Sequence, residues 1–365
     1  MSIRSGAAPV PDIREWKEID AAWLTEALQA GGVDAKVRAF EAGQVGTGQI
    51  GDCVRFKLDY ESAAPDAPRT VVGKFPSEGQ ESRSTGVQLG NYYREVKFYQ
   101  LLQPQARITT PPCYFTDVNE ETHNFVLIMG DMAPAEQGDQ LAGVTLDQAR
   151  IVIGEAAKLH SAFWQDEALD QYPWVMGTTN APAPLDPELV AGLWTGFKQR
   201  YDGRVTPLAE KIGDAMTGNL EGYNDSRDGP RCLIHSDFRP DNMLFDPSGV
   251  QPPVTVVDWQ SFGFGPGGAD VGYFIAGAIP PALRQAEEAH LIDLYLSEMD
   301  RLGVSDYDRD NFLKHYIAGA YQHFFTAFFA AMLVTQTKRG DDMFFRMLNG
   351  AVDLISDHGA ADWYD

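Results

Sequence analysis

Cysteine is scarce in this 365-residue chain, and the three that occur, Cys53, Cys113 and Cys232, lie far apart. An odd, widely spaced set supports neither a disulfide framework nor a metal knuckle, so free thiols in apolar surroundings are expected. Long apolar runs are also lacking. The longest, Phe324 to Val334, is broken by Thr326 and is too short to span a bilayer. Met1 to Pro9 holds no apolar stretch of the signal-peptide kind, and a cytoplasmic location is expected. Positive charge is in short supply. Lys and Arg number 29 against 52 Asp and Glu, a formal net charge of −23. That balance argues against nucleic acid and membrane as partners. It fits solubility first and a cationic partner second. Repeats and low-complexity segments are absent, and no Gly-Lys-Ser/Thr completes a Walker A loop.

The remaining composition is that of a globular protein, 44% hydrophobic and 22% charged, with enough length for two compact units. The densest chemistry lies in Cys232 to Asp246 and, a Pro/Gly turn later, Val254 to Gln260. These segments read as three short apolar strands with polar residues where strand meets loop. Asp237, Asn242 and Asp258 are oxygen donors, which suit Mg2+ better than zinc. Asp237 and Asn242 are separated by the spacing of the protein-kinase catalytic loop, where the Asp takes a hydroxyl proton and the Asn holds metal.

His235-x-Asp237-x-x-x-x-Asn242, followed by a strand ending in Asp258-Trp259, resembles the aminoglycoside phosphotransferase and choline kinase-like superfamily, most closely its ecdysteroid-kinase-like branch. The resemblance implies an α+β, bilobal protein kinase-like fold with a small antiparallel-sheet N-lobe (1–129), a hinge (130–134) and a larger, mainly helical C-lobe (135–365). It implies ATP and Mg2+ as cofactors and a hydroxyl of a small-molecule acceptor as the phosphoryl acceptor. Asp237 is the implied base, Asn242 and Asp258 the metal ligands. His235 packs and hydrogen-bonds the loop, and Arg239 is a γ-phosphate contact. Ser236 stands where protein kinases carry Arg, and Trp-Gln follows Asp258 in place of Phe-Gly; both departures fit small-molecule kinases.

Taken in order, Ile19 to Gly32 has helical apolar spacing and a Gly-Gly stop, and Val33 to Glu41 reads as a strand. Four glycines then fall between Gly43 and Gly51, ahead of an alternating strand. Such a hairpin lets backbone N–H groups approach phosphate, and Gly46, Thr47 and Gly48 resemble the family's nucleotide-covering loop. Lys74, in the apolar strand Thr70 to Pro76, resembles the phosphate-binding lysine, with Glu95 on the helix Tyr92 to Leu102 as its partner. Ser77 to Leu89 is expected to move over the nucleotide. Ile128, Met129 and Gly130 lead into the hinge, and the resemblance implies that backbone groups around Ile128 to Met132 face the adenine edge. Asp131 is read either as a hinge acid of this branch or as a turn former. Thr145 caps a helix through Trp164, whose His160 is expected to support the catalytic loop from the core. Leu189 to Ala215 reads as helical, and the resemblance implies that it sits where this family builds its acceptor pocket. Gly263 to Gly268 replaces an activation segment. Asp270 is expected to N-cap the next helix and resembles the family's acid that braces the catalytic loop, a structural role. Three helices close the chain, near 282–302, 307–336 and 340–357, with Phe324, Phe325, Phe328, Phe329, Phe344 and Phe345 read as core or, in part, as lining of an acceptor pocket.

Two other functions remain open at this level: a nucleotide-binding pseudokinase or scaffold, and a metal-dependent hydrolase using Asp237 and Asp258. The sequence selects no acceptor among steroid, sugar, amino alcohol and aminoglycoside, and no oligomeric state.

Overall fold

A computed structural model describes residues 11–46, 50–175 and 186–365. The described chain forms two compact units. The first comprises residues up to Pro104, Thr110–Ala133 and the tripeptide Asp258–Gln260. The second comprises Gln105–Thr109, Pro134–Val257 and Ser261–Asp365.

In the first unit, Asp20 starts α1 (Ala21–Ala30) by accepting from the Trp23 N–H at 2.8 Å. Trp23, Leu24, Ala27 and Leu28 then fall on one face and are buried. Strands β1 (Ala35–Val45), β2 (Gly51–Ala63) and β3 (Thr70–Pro76) follow, then α2 (Gln80–Gln88) and α3 (Asn91–Lys97). A π-helical turn, Phe98–Leu102, continues α3. Strands β4 (Cys113–Val118) and β5 (Phe125–Gly130) complete an antiparallel sheet of order β1-β2-β3-β5-β4. β5 is apolar without alternation because it is interior to the sheet and buried on both faces. Val54, Phe56, Val71, Phe75, Val126 and Ile128 pack against the buried face of α1. The segment Ser77 to Leu89, expected to be mobile, is largely the helix α2. Gly86 lets it close on Tyr92 and Ile50, where an added Cβ would lie 2.6 Å from the Tyr92 ring.

The second unit opens with β6 (Glu136–Gln137) and α4 (Leu146–Ala162). Thr145 and Gln148 form a reciprocal capping box at the start of α4. The helical stretch expected over 189–215 consists of two helices, α5 (Pro187–Arg200) and α6 (Pro207–Gly218). They are separated where Gly203 takes a φ of +75° and Thr206 caps the second. After α7 (Leu220–Asp225) come β7 (Cys232–Ile234), β8 (Met243–Phe245), β9 (Val254–Val256) and β10 (Gly263–Gly265). β8 pairs with both β6 and β9, and β10 pairs with β7. The glycine-rich stretch after Asp258 is therefore partly a strand. Helices α8 (Gly268–Ala278), α9 (Pro281–Arg301), α10 (Arg309–Leu333) and α11 (Lys338–Asp357) finish the chain. Phe324, Phe328, Phe344 and Phe345 are buried, and Phe325 stacks on Phe329. Among the described residues no helix is long and apolar enough to cross a membrane.

Helices α8 and α10 meet backbone to backbone. A Cβ on Gly272 would lie 1.8 Å from the Tyr316 carbonyl oxygen, and one on Gly319 would lie 2.1 Å from that of Ala269. Backbone atoms cannot rotate aside, so either substitution must part the helices. Gly319→Ala should therefore destabilise the protein by about 1–3 kcal/mol in urea denaturation, despite alanine's better helix propensity. A loss below about 0.5 kcal/mol would contradict this close packing.

Candidate active site

In the first unit, β3 carries Lys74 inward, where it is 9% exposed. Its Nζ lies 2.7 Å from Glu95 Oε2 on α3 and 2.8 Å from Asp258 Oδ1. Burial alone would lower the lysine pKa; Asp258 and Glu95 outweigh it and raise the value, so Lys74 is charged. Cys53, its cross-strand neighbour, is a free thiol pushed up to about 11 by burial. Asp258 has a left-handed backbone, φ +67°, uncommon for a residue with a side chain. Gln260 Nε2 donates to its Oδ2 at 3.1 Å. Trp259 is fully buried and stacks on Phe98 at 3.9 Å and 2°.

In the second unit, the turn after β7 is held by Asp270 on α8. One carboxylate oxygen accepts from the His235 N–H at 2.6 Å and the other from the Ser236 N–H at 2.9 Å. Ser236 is left-handed, φ +66°, and its carbonyl accepts from Gln322 on α10 at 2.9 Å. His160, buried on α4, lies 3.3 Å from Asp270 and 2.8 Å from the Tyr295 hydroxyl. His235 is buried. Its Nδ1 accepts from the Asp237 N–H at 3.4 Å, so its Nε2–H donates to the Val257 carbonyl at 3.0 Å. With both nitrogens engaged on backbone, it positions the loop.

Asp237 receives Arg239 Nε at 3.0 Å, the Tyr273 hydroxyl at 2.7 Å and the Asn242 amide at 2.8 Å. Burial pushes its pKa up; the Arg239 charge, the Tyr273 hydroxyl and Asn242 more than reverse this and set it at about 2. Arg239 is turned onto this carboxylate and onto Asp241, 2.8 Å from its Nη1. Asn242 donates from Nδ2 to the carbonyl and carboxylate of Asp237, which leaves Oδ1 as the end that can meet a cation. Asp258 accepts one bond at each oxygen and retains a lone pair on each. Both residues are thus hard oxygen donors of the type Mg2+ uses. Among the described residues no group of three or more His, Cys, Asp or Glu forms a metal cluster. Magnesium needs none when phosphates and water complete its shell.

Residues 46–305 match the ecdysteroid kinase-like family. The chain belongs to that family. Its fold is shared with an ethanolamine kinase of Plasmodium vivax (11% identity, 87% of this chain and 84% of that one, TM-score 0.54). It is also shared with a choline kinase of Streptococcus pneumoniae (12%, 85% and 92%, 0.50) and with aminoglycoside 2'-phosphotransferase-IIIa in complex with GDP (12%, 87% and 94%, 0.50). At these identities the likeness is one of fold: α+β, bilobal and protein kinase-like. A search of curated proteins finds no match.

Within this ecdysteroid kinase-like chain, the structure brings Lys74, Glu95 and Asp258 together in one unit and His235, Asp237, Arg239 and Asn242 together in the other. Thr47 and Gly48 lie outside the described residues, and Gly46 is left-handed at the end of β1, φ +75°. Ile128, Met129 and Gly130 are paired with β3 in the sheet, and the Gly130 N–H donates to the Pro112 carbonyl at 2.8 Å. Backbone clear of the ladder begins at Asp131. Asp131 pairs with Arg55 on β2 through two bonds, 2.6 and 3.0 Å, and also accepts from the Ala133 N–H. Asp270 was expected to cap α8. It is instead inside the first turn, behind Gly267, with its carboxylate spent on the 235–236 backbone. Tyr273 and Gln322 are contacts that sequence reasoning missed. The available signal for Tyr273 was its place on the face of α8 that also carries Asp270.

The folded pKa of Asp237 lies below the ordinary 3.8. Its contribution, about 2 kcal/mol, is full above that value and is lost as pH falls through about 2. Tyr273→Phe should raise the Asp237 pKa, and Arg239→Gln should raise it further. Carboxyl 13C NMR, assigned with Asp237→Asn, reads both; an unmoved titration in both variants would refute the arrangement.

Proposed function

We propose that this chain is an ATP- and magnesium-dependent kinase that phosphorylates a hydroxyl group of a small molecule. The observation that carries the reading is buried Lys74 held charged between Glu95 and Asp258, an arrangement with little purpose in a protein that binds no phosphate. Phosphoryl transfer asks mainly for positioning and charge neutralisation. Lys74, oriented by Glu95, offsets phosphate charge. Asn242 and Asp258 would hold Mg2+, which would supply charge neutralisation at the phosphates. Asp237, ionised throughout the physiological range, accepts the acceptor's hydroxyl proton as the new O–P bond forms and ADP leaves. Arg239 and Tyr273 keep that carboxylate ionised and aimed.

The acceptor is an alcohol. The family's name points to a hydroxylated steroid, whereas the named structural neighbours point to amino alcohols and aminoglycosides. The test is ADP release from Mg·ATP against hydroxylated steroids, choline, ethanolamine and kanamycin. Turnover with at least one is expected. Asp237→Asn should keep Mg·ATP affinity and lose about 10²–10⁴ in kcat. Normal turnover in that variant would remove Asp237 as the base. Phosphoester cleavage without nucleotide would replace the kinase by a hydrolase.

A further inference from the structure

The tripeptide Asp258-Trp259-Gln260 is held at each residue, and the hold on Trp259 and Gln260 comes from one stripe of one helix. The Trp259 N–H bonds to the Glu95 carboxylate, and the Trp259 ring lies flat on Phe98. The Gln260 carbonyl accepts from Asn91 Nδ2 at 3.3 Å. Asn91, Glu95 and Phe98 are spaced by four and then three residues, so α3 and its π-helical continuation present them on a single face. All three are buried, with exposures of 7%, 2% and 0%. Gln260 then turns its amide back on the first residue of the tripeptide, donating to Asp258 Oδ2 at 3.1 Å, while Lys74 takes Oδ1 at 2.8 Å. The carboxylate is fixed at both oxygens on a backbone that is itself left-handed.

Such a conformation persists when its surroundings over-determine it. We propose that Asn91 and Gln260 are positioning residues for the metal acid: Asn91 pins the backbone that follows Asp258, and Gln260 sets the rotation of its carboxylate, so that the α3 stripe determines magnesium affinity. This rests on the reading of Asp258 as a magnesium ligand. Gln260 occupies the second position after that acid, where an amide can reach back to the carboxylate and the glycine of protein kinases cannot. Outer hydrogen bonds to metal-binding carboxylates commonly change metal affinity by 10–100-fold.

The test is calorimetric titration of the full chain with ATP over a series of Mg2+ concentrations, for wild type, Gln260→Met, Asn91→Ala and the double variant. Gln260→Met keeps length and removes the donor. The half-saturating Mg2+ concentration should rise about tenfold or more in Gln260→Met, with metal-free ATP affinity and melting temperature unchanged. The double variant should be less than additive, because both residues act on one tripeptide. If Asn91→Ala does not fold, Gln260→Met decides alone. A magnesium requirement within about twofold of wild type in a folded Gln260→Met overturns the proposal and leaves the kinase reading standing. Wild-type ATP binding that ignores magnesium overturns both.

Discussion

A single carboxylate, Asp270, captures two consecutive backbone N–H groups at the turn that carries Asp237. Ser236, the second of those donors, is left-handed, a conformation that costs energy for any residue with a Cβ. Two charge-assisted hydrogen bonds from a buried carboxylate offset that cost. Everything around Asp270 serves to keep it in place. His160 on α4 bonds it and is itself held by the Tyr295 hydroxyl on α9, and glycine contacts pack its helix, α8, closely against α10. Gln322 closes the remaining carbonyl. Asp237 is placed by helix packing as much as by its own loop.

A net charge of −23 is compatible with the anionic nucleotide proposed for this chain. The cations that matter are few and buried. Lys74 stands between two carboxylates, and Arg239 between Asp237 and Asp241. Each pair is taken out of water, where a charge is worth more than one on the surface. Surface acidity adds little inside these clusters because solvent screens it within about 10 Å. Acid excess outside and lysine inside are therefore compatible.

The parts legible in the sequence are those written in a short run of residues or in a residue type out of place. Lys74 stood out because it interrupts an apolar strand, and Glu95 because it is an acid on an amphipathic helix. The 235–242 loop carried its own spacing. What stayed hidden is held by contacts between distant residues. Tyr273 is 36 residues from Asp237, and Asn91 is 169 from Gln260. Nothing local marks the Asn91 pairing, and Tyr273 is marked only by sharing a helix face with Asp270. α2 escaped because Ser, Gln, Arg and Gly give no apolar period; its order comes from Gly86 lying against Tyr92 and Ile50. Asp270 misled in part, since an acid in the first turn suits the helix dipole whether or not it caps the helix.

The central claim is that Lys74 and Asp258 belong to a magnesium-dependent nucleotide site. Calorimetric titration of the purified chain with ATP, with and without Mg2+, tests it most directly. The account predicts saturable binding that strengthens at least about tenfold when magnesium is present. Absence of ATP binding under both conditions would contradict it.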